Sequence, residues 1–154
     1  MNWPYLGIQV IHWYKGCTSL LRRRQAFWWK AGPGGVSALR RVGQGLITLR
    51  LSAQGEMRVV KSIQDVIRLW KEGADGKIVL VDDAGTTTLA PVLPKLAGVV
   101  CTSGALGSHL AIVTREFQIP ALMGTKLETS ESLDRRKVVI QPGEGTAGVL
   151  LVSD

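Results

Sequence analysis

Apolar residues recur along residues 43–154 in short runs, some with the spacing of strands and others with that of helices. The runs that predict strands are 46–51, 56–60, 77–81, 98–101, 121–123, 137–141 and 147–152. Residues 77–81 are almost entirely apolar, which is typical of a strand buried on both faces. Gln54-Gly55 predicts a turn between the first two strands, and Pro142-Gly143 opens the turn between the last two.

Apolar residues have the spacing of a helix, and not that of a strand, at two main places. The first predicted helix is capped by Ser62 and ends at Gly73. Its apolar residues at helical spacing are Ile63, Val66, Ile67 and Trp70. A second helix is predicted to begin at Ser108 and to stop before Pro120. A third, short helix over 89–96 is limited by its two prolines. Strands mixed with two or three helices indicate an α/β or α+β protein, with the helices mainly against one side of the sheets.

Charge divides the chain into two unequal parts. Residues 1–42 contain seven Lys or Arg, no Asp or Glu, and most of the aromatic residues. The remainder contains twelve Lys or Arg and twelve Asp or Glu, so the net charge of +7 lies entirely in the first part. We therefore expect a basic, Trp-rich N-terminal appendage over 1–42 and a folded domain over 43–154.

Four interpretations of the appendage remain open. A docking segment for an acidic partner and a misassigned upstream start are favoured equally over a nucleic-acid arm and a membrane-surface helix. No apolar run reaches the length of a membrane span, and the N-terminus is a poor secretory signal. Cys17 and Cys101 form no recognisable disulfide or metal framework. We expect a cytoplasmic protein without a metal site.

The stretch GALGSHLAIVTREFQIPALMG, residues 104–124, holds His109, one of only two histidines. Gly104 and Gly107 allow backbone conformations closed to other residues and a close approach to a ligand. A helix that starts at Ser108 presents unpaired N–H groups and the positive end of its dipole, which favour an anion. The neutral form of a histidine is available there near pH 7, and its attack on phosphorus would give a phosphohistidine. A capping histidine on a glycine-rich turn is the simpler interpretation of this local pattern.

The same stretch closely resembles the phosphohistidine signature of the phosphoenolpyruvate (PEP)-utilising enzymes, such as pyruvate phosphate dikinase and PEP synthase. His109 corresponds to the phosphorylated histidine, and Ser108 to the hydroxyl residue before it. The other positions in register are Gly104, Ile112, Val113, Arg115, Glu116, Ile119, Pro120, Ala121 and Gly124. The resemblance extends over residues 43–152. It implies an α/β, swivelling β/β/α phosphohistidine domain with short-stranded sheets and two or three helices.

The resemblance also implies a phosphoryl carrier that is transiently phosphorylated on His109. As a stand-alone domain, it would relay phosphate between a nucleotide- or PEP-binding partner and an acceptor site. It would be one subunit of a split dikinase-like phosphotransferase and would be inactive alone. ATP or PEP, with Mg, would be bound by partner subunits, because this chain has no P-loop, ATP-grasp domain or length for a TIM barrel. The predicted supporting residues at the phosphoryl site are Thr102, Gly104, Gly107 and Ser108. The alternatives are a non-catalytic interaction module with the same fold and nucleic-acid binding through the basic N-terminus.

Three positions depart from the family pattern. Ala105 replaces a glycine, which makes the loop less permissive. Leu110 replaces an alanine and would add bulk near the phosphoryl site. Gly107 occupies the place of a threonine that regulates some dikinases, so that control is not expected here.

Other residues near the signature have more than one interpretation. Cys101 could pair with His109, although a buried thiol is favoured. Arg115 is expected to pair with neighbours such as Glu116 or to meet a partner domain. Thr86–Thr88 could reach the phosphoryl group, although capping the next helix is slightly favoured. The G-x-G-x-x-G match at 143–148 is expected to be a hairpin turn, because no helix follows it.

Overall fold

Seven strands and two α-helices are formed by residues 38–83 and 89–153, the residues that a computed structural model describes. The strands are β1 (Leu39–Ile47), β2 (Ala53–Val60), β3 (Ile78–Val81), β4 (Gly98–Cys101), β5 (Ala121–Leu127), β6 (Lys137–Pro142) and β7 (Ala147–Ser153). The helices are α1 (Ile63–Glu72), α2 (His109–Glu116) and a 3-10 helix at Leu93–Lys95. Within the described part of the chain, no helix is long and apolar enough to cross a membrane.

The strands form a closed barrel in the order β1-β5-β4-β3-β2-β6-β7, and β7 pairs again with β1. The four neighbours β2, β3, β4 and β5 are parallel, whereas every pairing that involves β1, β6 or β7 is antiparallel. In the central pair, Val81 at the end of β3 lies opposite Cys101 at the end of β4. The carboxyl ends of the parallel strands therefore meet at one edge of the barrel, which we call the carboxyl edge.

The predicted swivelling β/β/α arrangement of short-stranded sheets is wrong, because β1 pairs with both β5 and β7 and closes the sheet. This strand begins at Leu39, in the basic part of the sequence, and ends at Ile47, where the chain bends. Its pairing with β7 joins residues more than a hundred positions apart, a contact that local periodicity does not report. The predicted turn at Gln54-Gly55 is also wrong, because both residues lie within β2.

Alternation along the parallel strands divides the buried residues between two cores. In β3, Ile78 and Leu80 belong to the core inside the barrel, whereas Val79 and Val81 belong to an outer core. The outer core also contains residues of α1, α2 and the segment around the 3-10 helix, which cover one side of the barrel. All residues of β3 and β4 are buried. The burial of β3 confirms the prediction of a strand covered on both faces.

Helix α1 begins and ends as its sequence predicts. The Ser62 hydroxyl accepts from the Asp65 N–H at 3.4 Å, and the Asp65 carboxylate accepts from the Ser62 N–H at 3.0 Å, which completes a capping box. The Lys61 N–H also donates to this carboxylate, at 3.1 Å. These hydrogen bonds lower the pKa of Asp65, and the bond from the Lys61 N–H has the largest effect. At the other end, Gly73 has a φ of 94°, a region that favours glycine.

Several predictions fall on residues outside the described ranges. They concern His12, Cys17, Thr86–Thr88 and all of the predicted appendage except residues 38–42. The predicted short helix over 89–96 is reduced to a 3-10 helix at Leu93–Lys95. The strand predicted at 121–123 extends to Leu127.

Candidate functional site

The loop that follows β4 lies at the carboxyl edge and leads directly into α2. Its first residue, Thr102, donates its N–H to the Val81 carbonyl oxygen at 3.0 Å. The Thr102 hydroxyl lies 3.3 Å from both the carbonyl oxygen and the carboxylate of Asp82. The start of the loop is therefore bonded to the end of the neighbouring strand, β3, and the Thr102 hydroxyl faces Asp82.

His109 is the first residue of α2 and is exposed to solvent. Ser108 caps the helix, since its hydroxyl accepts the Ala111 N–H at 3.4 Å. The N–H groups of His109 and Leu110 belong to the first turn, where no intrahelical carbonyl can reach them. An imidazole therefore stands beside backbone N–H groups and the positive end of a helix dipole, the environment that favours a bound or attached phosphoryl group.

Two hydrogen bonds fix the loop before His109, and a third anchors the Arg115 side chain on α2. The Arg115 guanidinium donates to the Leu106 carbonyl oxygen at 2.6 Å and to the Ala111 carbonyl oxygen at 3.1 Å. The Ser108 N–H donates to the Ala105 carbonyl oxygen at 2.9 Å. Arg115 was expected to pair with Glu116 or a partner domain; its side chain instead turns back along α2 and holds the loop.

The glycines of the signature differ in whether the backbone requires a glycine at their position. Gly104 has a φ of 82° and Gly124 a φ of 56°, both in the left-handed region that favours glycine. Gly124 also donates its N–H to the Ser103 carbonyl oxygen at 3.0 Å, and a Cβ at this position would lie 3.1 Å from the Gly104 carbonyl oxygen. Gly107 does not have a positive φ, and a Cβ added there would meet no atom within 4 Å, so its backbone does not require glycine.

The departures from the family pattern leave the site open. Leu110 is buried in the outer core, so the expected bulk near the phosphoryl site is not there. Ala105 is exposed, and its carbonyl oxygen supports the turn that leads to Ser108. The Cys101 thiol is buried, with its Sγ 3.8 Å from the Ser103 Oγ. Burial raises the pKa of this thiol, which keeps it protonated and favours a core residue over a partner of His109.

The structure thus brings Thr102, Gly104, Gly107, Ser108 and His109 together at one edge of the barrel. The predicted hairpin turn at 143–148 is confirmed, because it joins β6 to β7.

Three supporting contacts were not predicted, those of Asp82, Arg115 and Gly124. Arg115 and Gly124 are part of the quoted signature, so they could have been assigned to the loop. Asp82 is distant in sequence and is placed by the pairing of β3 with β4.

Comparison with known proteins shows which family this part of the chain resembles. Residues 73–145 match the family described as "PEP-utilising enzyme, mobile domain". The match is shorter than the resemblance over 43–152 that we expected.

Three relatives show the extent of the similarity. A PEP-dependent phosphotransferase system protein of Salmonella typhimurium is 44% identical over 77 residues, which cover 49% of this chain and 10% of that protein. Chondramide synthase of Chondromyces crocatus is 33% identical over 106 residues, which cover 69% of this chain and 3% of that protein. A PEP synthase of Aquifex aeolicus is 32% identical over 96 residues, which cover 62% of this chain and 11% of that protein. This chain therefore spans only 3% to 11% of the length of these three relatives.

Proposed function

We propose that the protein is a phosphoryl carrier that is transiently phosphorylated on His109. It relays phosphate between a nucleotide- or PEP-binding partner and a partner that holds the acceptor, as part of a split dikinase-like phosphotransferase in the cytoplasm. One observation carries the proposal: the histidine that matches the family's phosphorylated residue is exposed at the first turn of α2, beside unpaired backbone N–H groups.

The surroundings of His109 support this role in two ways. The exposed imidazole can enter the active site of another protein without a rearrangement of the barrel. The hydrogen bonds of Arg115 and Gly124 hold the loop before it in one shape, which reduces the entropy lost when the imidazole is aligned with a phosphorus atom.

The transfer itself consists of two displacements. An unprotonated ring nitrogen of His109 attacks the phosphorus of the donor, an N–P bond forms, and the bond from phosphorus to the leaving oxygen breaks. The proton on the other ring nitrogen leaves to solvent. In the second step the acceptor oxygen attacks the phosphorus, the N–P bond breaks, and the imidazole recovers a proton. ATP or PEP and Mg would be bound by the partners, and this chain would supply the nucleophile alone.

The test is phosphoryl transfer to the purified full-length chain. The wild type and His109→Asn are incubated with host-cell extract and ATP or PEP, and intact mass is measured under alkaline conditions. We expect one added phosphoryl group on the wild type, labile in acid and absent from His109→Asn. A His12→Asn variant is the matched control, because it removes the other histidine and should still be phosphorylated.

The outcome also separates the alternatives. A phosphoryl group that persists on His109→Asn assigns the modification to another residue and contradicts the proposal. A wild type that no donor phosphorylates, with any extract fraction, favours an interaction module that has kept the fold without the reaction.

A further inference from the structure

Three large apolar side chains lie exposed along one flank of α1. Ile63 is 61% exposed, Ile67 46% and Trp70 60%. They occupy positions i, i+4 and i+7, so they form a continuous strip, which we call the α1 stripe. Single exposed apolar residues are common on protein surfaces, whereas a contiguous strip that includes a tryptophan indicates an interaction site.

The α1 stripe is not needed to hold the helix on the barrel. Val66 and Leu69 are the residues of α1 that are buried in the outer core. The opposite flank lines a polar cleft with Asp65, Arg68 and Glu72. The helix therefore has a buried side, a polar flank and an apolar flank, and the apolar flank has no structural role within the barrel.

The α1 stripe starts at the same edge of the molecule as His109. Helix α1 follows the carboxyl end of β2, and α2 follows the carboxyl end of β4, with β3 between them in the parallel part of the sheet. Adjacent strands are about 4.8 Å apart, so the two strand ends are separated by roughly 10 Å. Ile63 lies in the first turn of α1, as His109 does in α2. A protein that covers His109 is thus close enough to reach the stripe.

We propose that the α1 stripe docks the partner protein that exchanges phosphate with His109. This inference rests on the proposed function and identifies a surface through which a carrier recognises its partner. The partner surface would be an apolar depression with an acidic rim, because Lys71 lies beside the stripe and is exposed.

The size of the stripe favours such a partner over a second copy of this chain. One large aromatic side chain contributes at most about 250 Å², so these three partly exposed side chains bury roughly 300–400 Å². A stable interface buries about 800 Å² on each side. The stripe is too small to hold a permanent dimer, whereas a carrier must bind weakly enough to leave one partner for another.

The test compares partner-dependent with partner-free phosphorylation of the full-length chain. The stripe variants are Trp70→Ala and Ile67→Ser. The matched control is Leu51→Ala, because Leu51 is 47% exposed and follows the end of β1 at the opposite edge of the barrel. Partner-dependent phosphorylation uses the host-extract fraction that phosphorylates the wild type, over a range of carrier concentrations. Partner-free phosphorylation uses phosphoramidate, whose N–P bond breaks to release ammonia as the imidazole N–P bond forms.

We expect each stripe variant to raise the half-saturating carrier concentration about tenfold, the usual cost of removing a central apolar contact. Leu51→Ala should match the wild type, and phosphoramidate should label all variants equally. Unchanged half-saturation in both stripe variants would overturn the docking inference and leave the carrier function intact. A wild type labelled by phosphoramidate but by no extract fraction would overturn the proposed function itself. Dimers of the wild type that dissociate on Trp70→Ala, measured by sedimentation, would instead assign the stripe to a second copy.

Discussion

The guanidinium of Arg115 donates a hydrogen bond to the Leu106 carbonyl oxygen at 2.6 Å, so α2 grips the loop that precedes its own first residue. The same guanidinium is anchored on the helix through the Ala111 carbonyl oxygen. The backbone on both sides of His109 is therefore held by one side chain.

Replacing Arg115 should loosen this loop. Hydrogen bonds of charged groups contribute about 1.5–3 kcal/mol, so we expect Arg115→Gln to lower the rate of His109 phosphorylation roughly tenfold. Amide hydrogen exchange of residues 104–108 should accelerate at the same time. Arg135→Gln is the control, because Arg135 is exposed and its ion pair with Asp134 is adjacent in the chain. Unchanged exchange in the 104–108 loop would show that Arg115 does not hold it.

Gly124 and Gly145 form a natural pair for measuring the contact between β5 and the loop. Both have a positive φ, of 56° and 58°, but only Gly124 has a neighbour, the Gly104 carbonyl oxygen, within 4 Å of an added Cβ. Gly145→Ala should lower the free energy of unfolding by about 1 kcal/mol through backbone strain alone, and Gly124→Ala should lower it by about 1 kcal/mol more. Urea denaturation measures both. Equal losses would mean that the loop moves away from β5 without cost.

The two glycines before His109 should respond differently to alanine. Gly104 has a φ of 82°, whereas Gly107 has no positive φ and open space around it. Gly104→Ala should therefore lower the free energy of unfolding by about 1–2 kcal/mol and slow phosphorylation. Gly107→Ala should preserve the fold and the rate, and the same denaturation and transfer assays measure both variants side by side. Slower phosphorylation of a fully stable Gly107→Ala would show a direct role for this glycine at the phosphoryl group.

Asp65 should make the stability of the barrel depend on pH. Hydrogen bonds from Lys61 and Ser62 hold its pKa below the usual 3.8. A carboxylate with a lowered folded-state pKa stabilises the fold above its unfolded pKa, and this contribution is lost as the pH falls through the folded-state pKa. Asp65→Asn should thus reduce the free energy of unfolding by about 1 kcal/mol at pH 7 and by less at pH 3. The measurement is urea denaturation at both pH values. If the loss of stability caused by Asp65→Asn were larger at pH 3 than at pH 7, the stabilising role of the ionised Asp65 carboxylate would be contradicted.

Local chemistry was predictable where it is encoded in a few adjacent residues. The cap at Ser62, the helix end at Gly73 and the start of α2 at Ser108 follow from hydrogen-bonding groups and backbone freedom at single positions. The buried strand β3 follows from its uninterrupted apolar residues.

Closure of the barrel could not be predicted in the same way. The strand β1 contains Arg40, Arg41, Gly43 and Gly45, a composition that does not suggest a strand. Gly45 is needed because an added Cβ would meet the Met123 carbonyl oxygen at 2.8 Å, so the reason for this residue lies in β5. The supporting contact between Thr102 and Asp82 likewise depends on which strands are neighbours.

The closed order of the strands has a consequence for how such a protein behaves among its neighbours. An open sheet presents unpaired backbone groups at its edges, which can capture a strand from any other chain. Among the strands that the structure describes, each is hydrogen-bonded on both sides. Contacts with other proteins must then be made by side chains and helix ends, and these are reversible. Such an architecture suits a molecule that meets several surfaces in turn and must not stay attached to any of them.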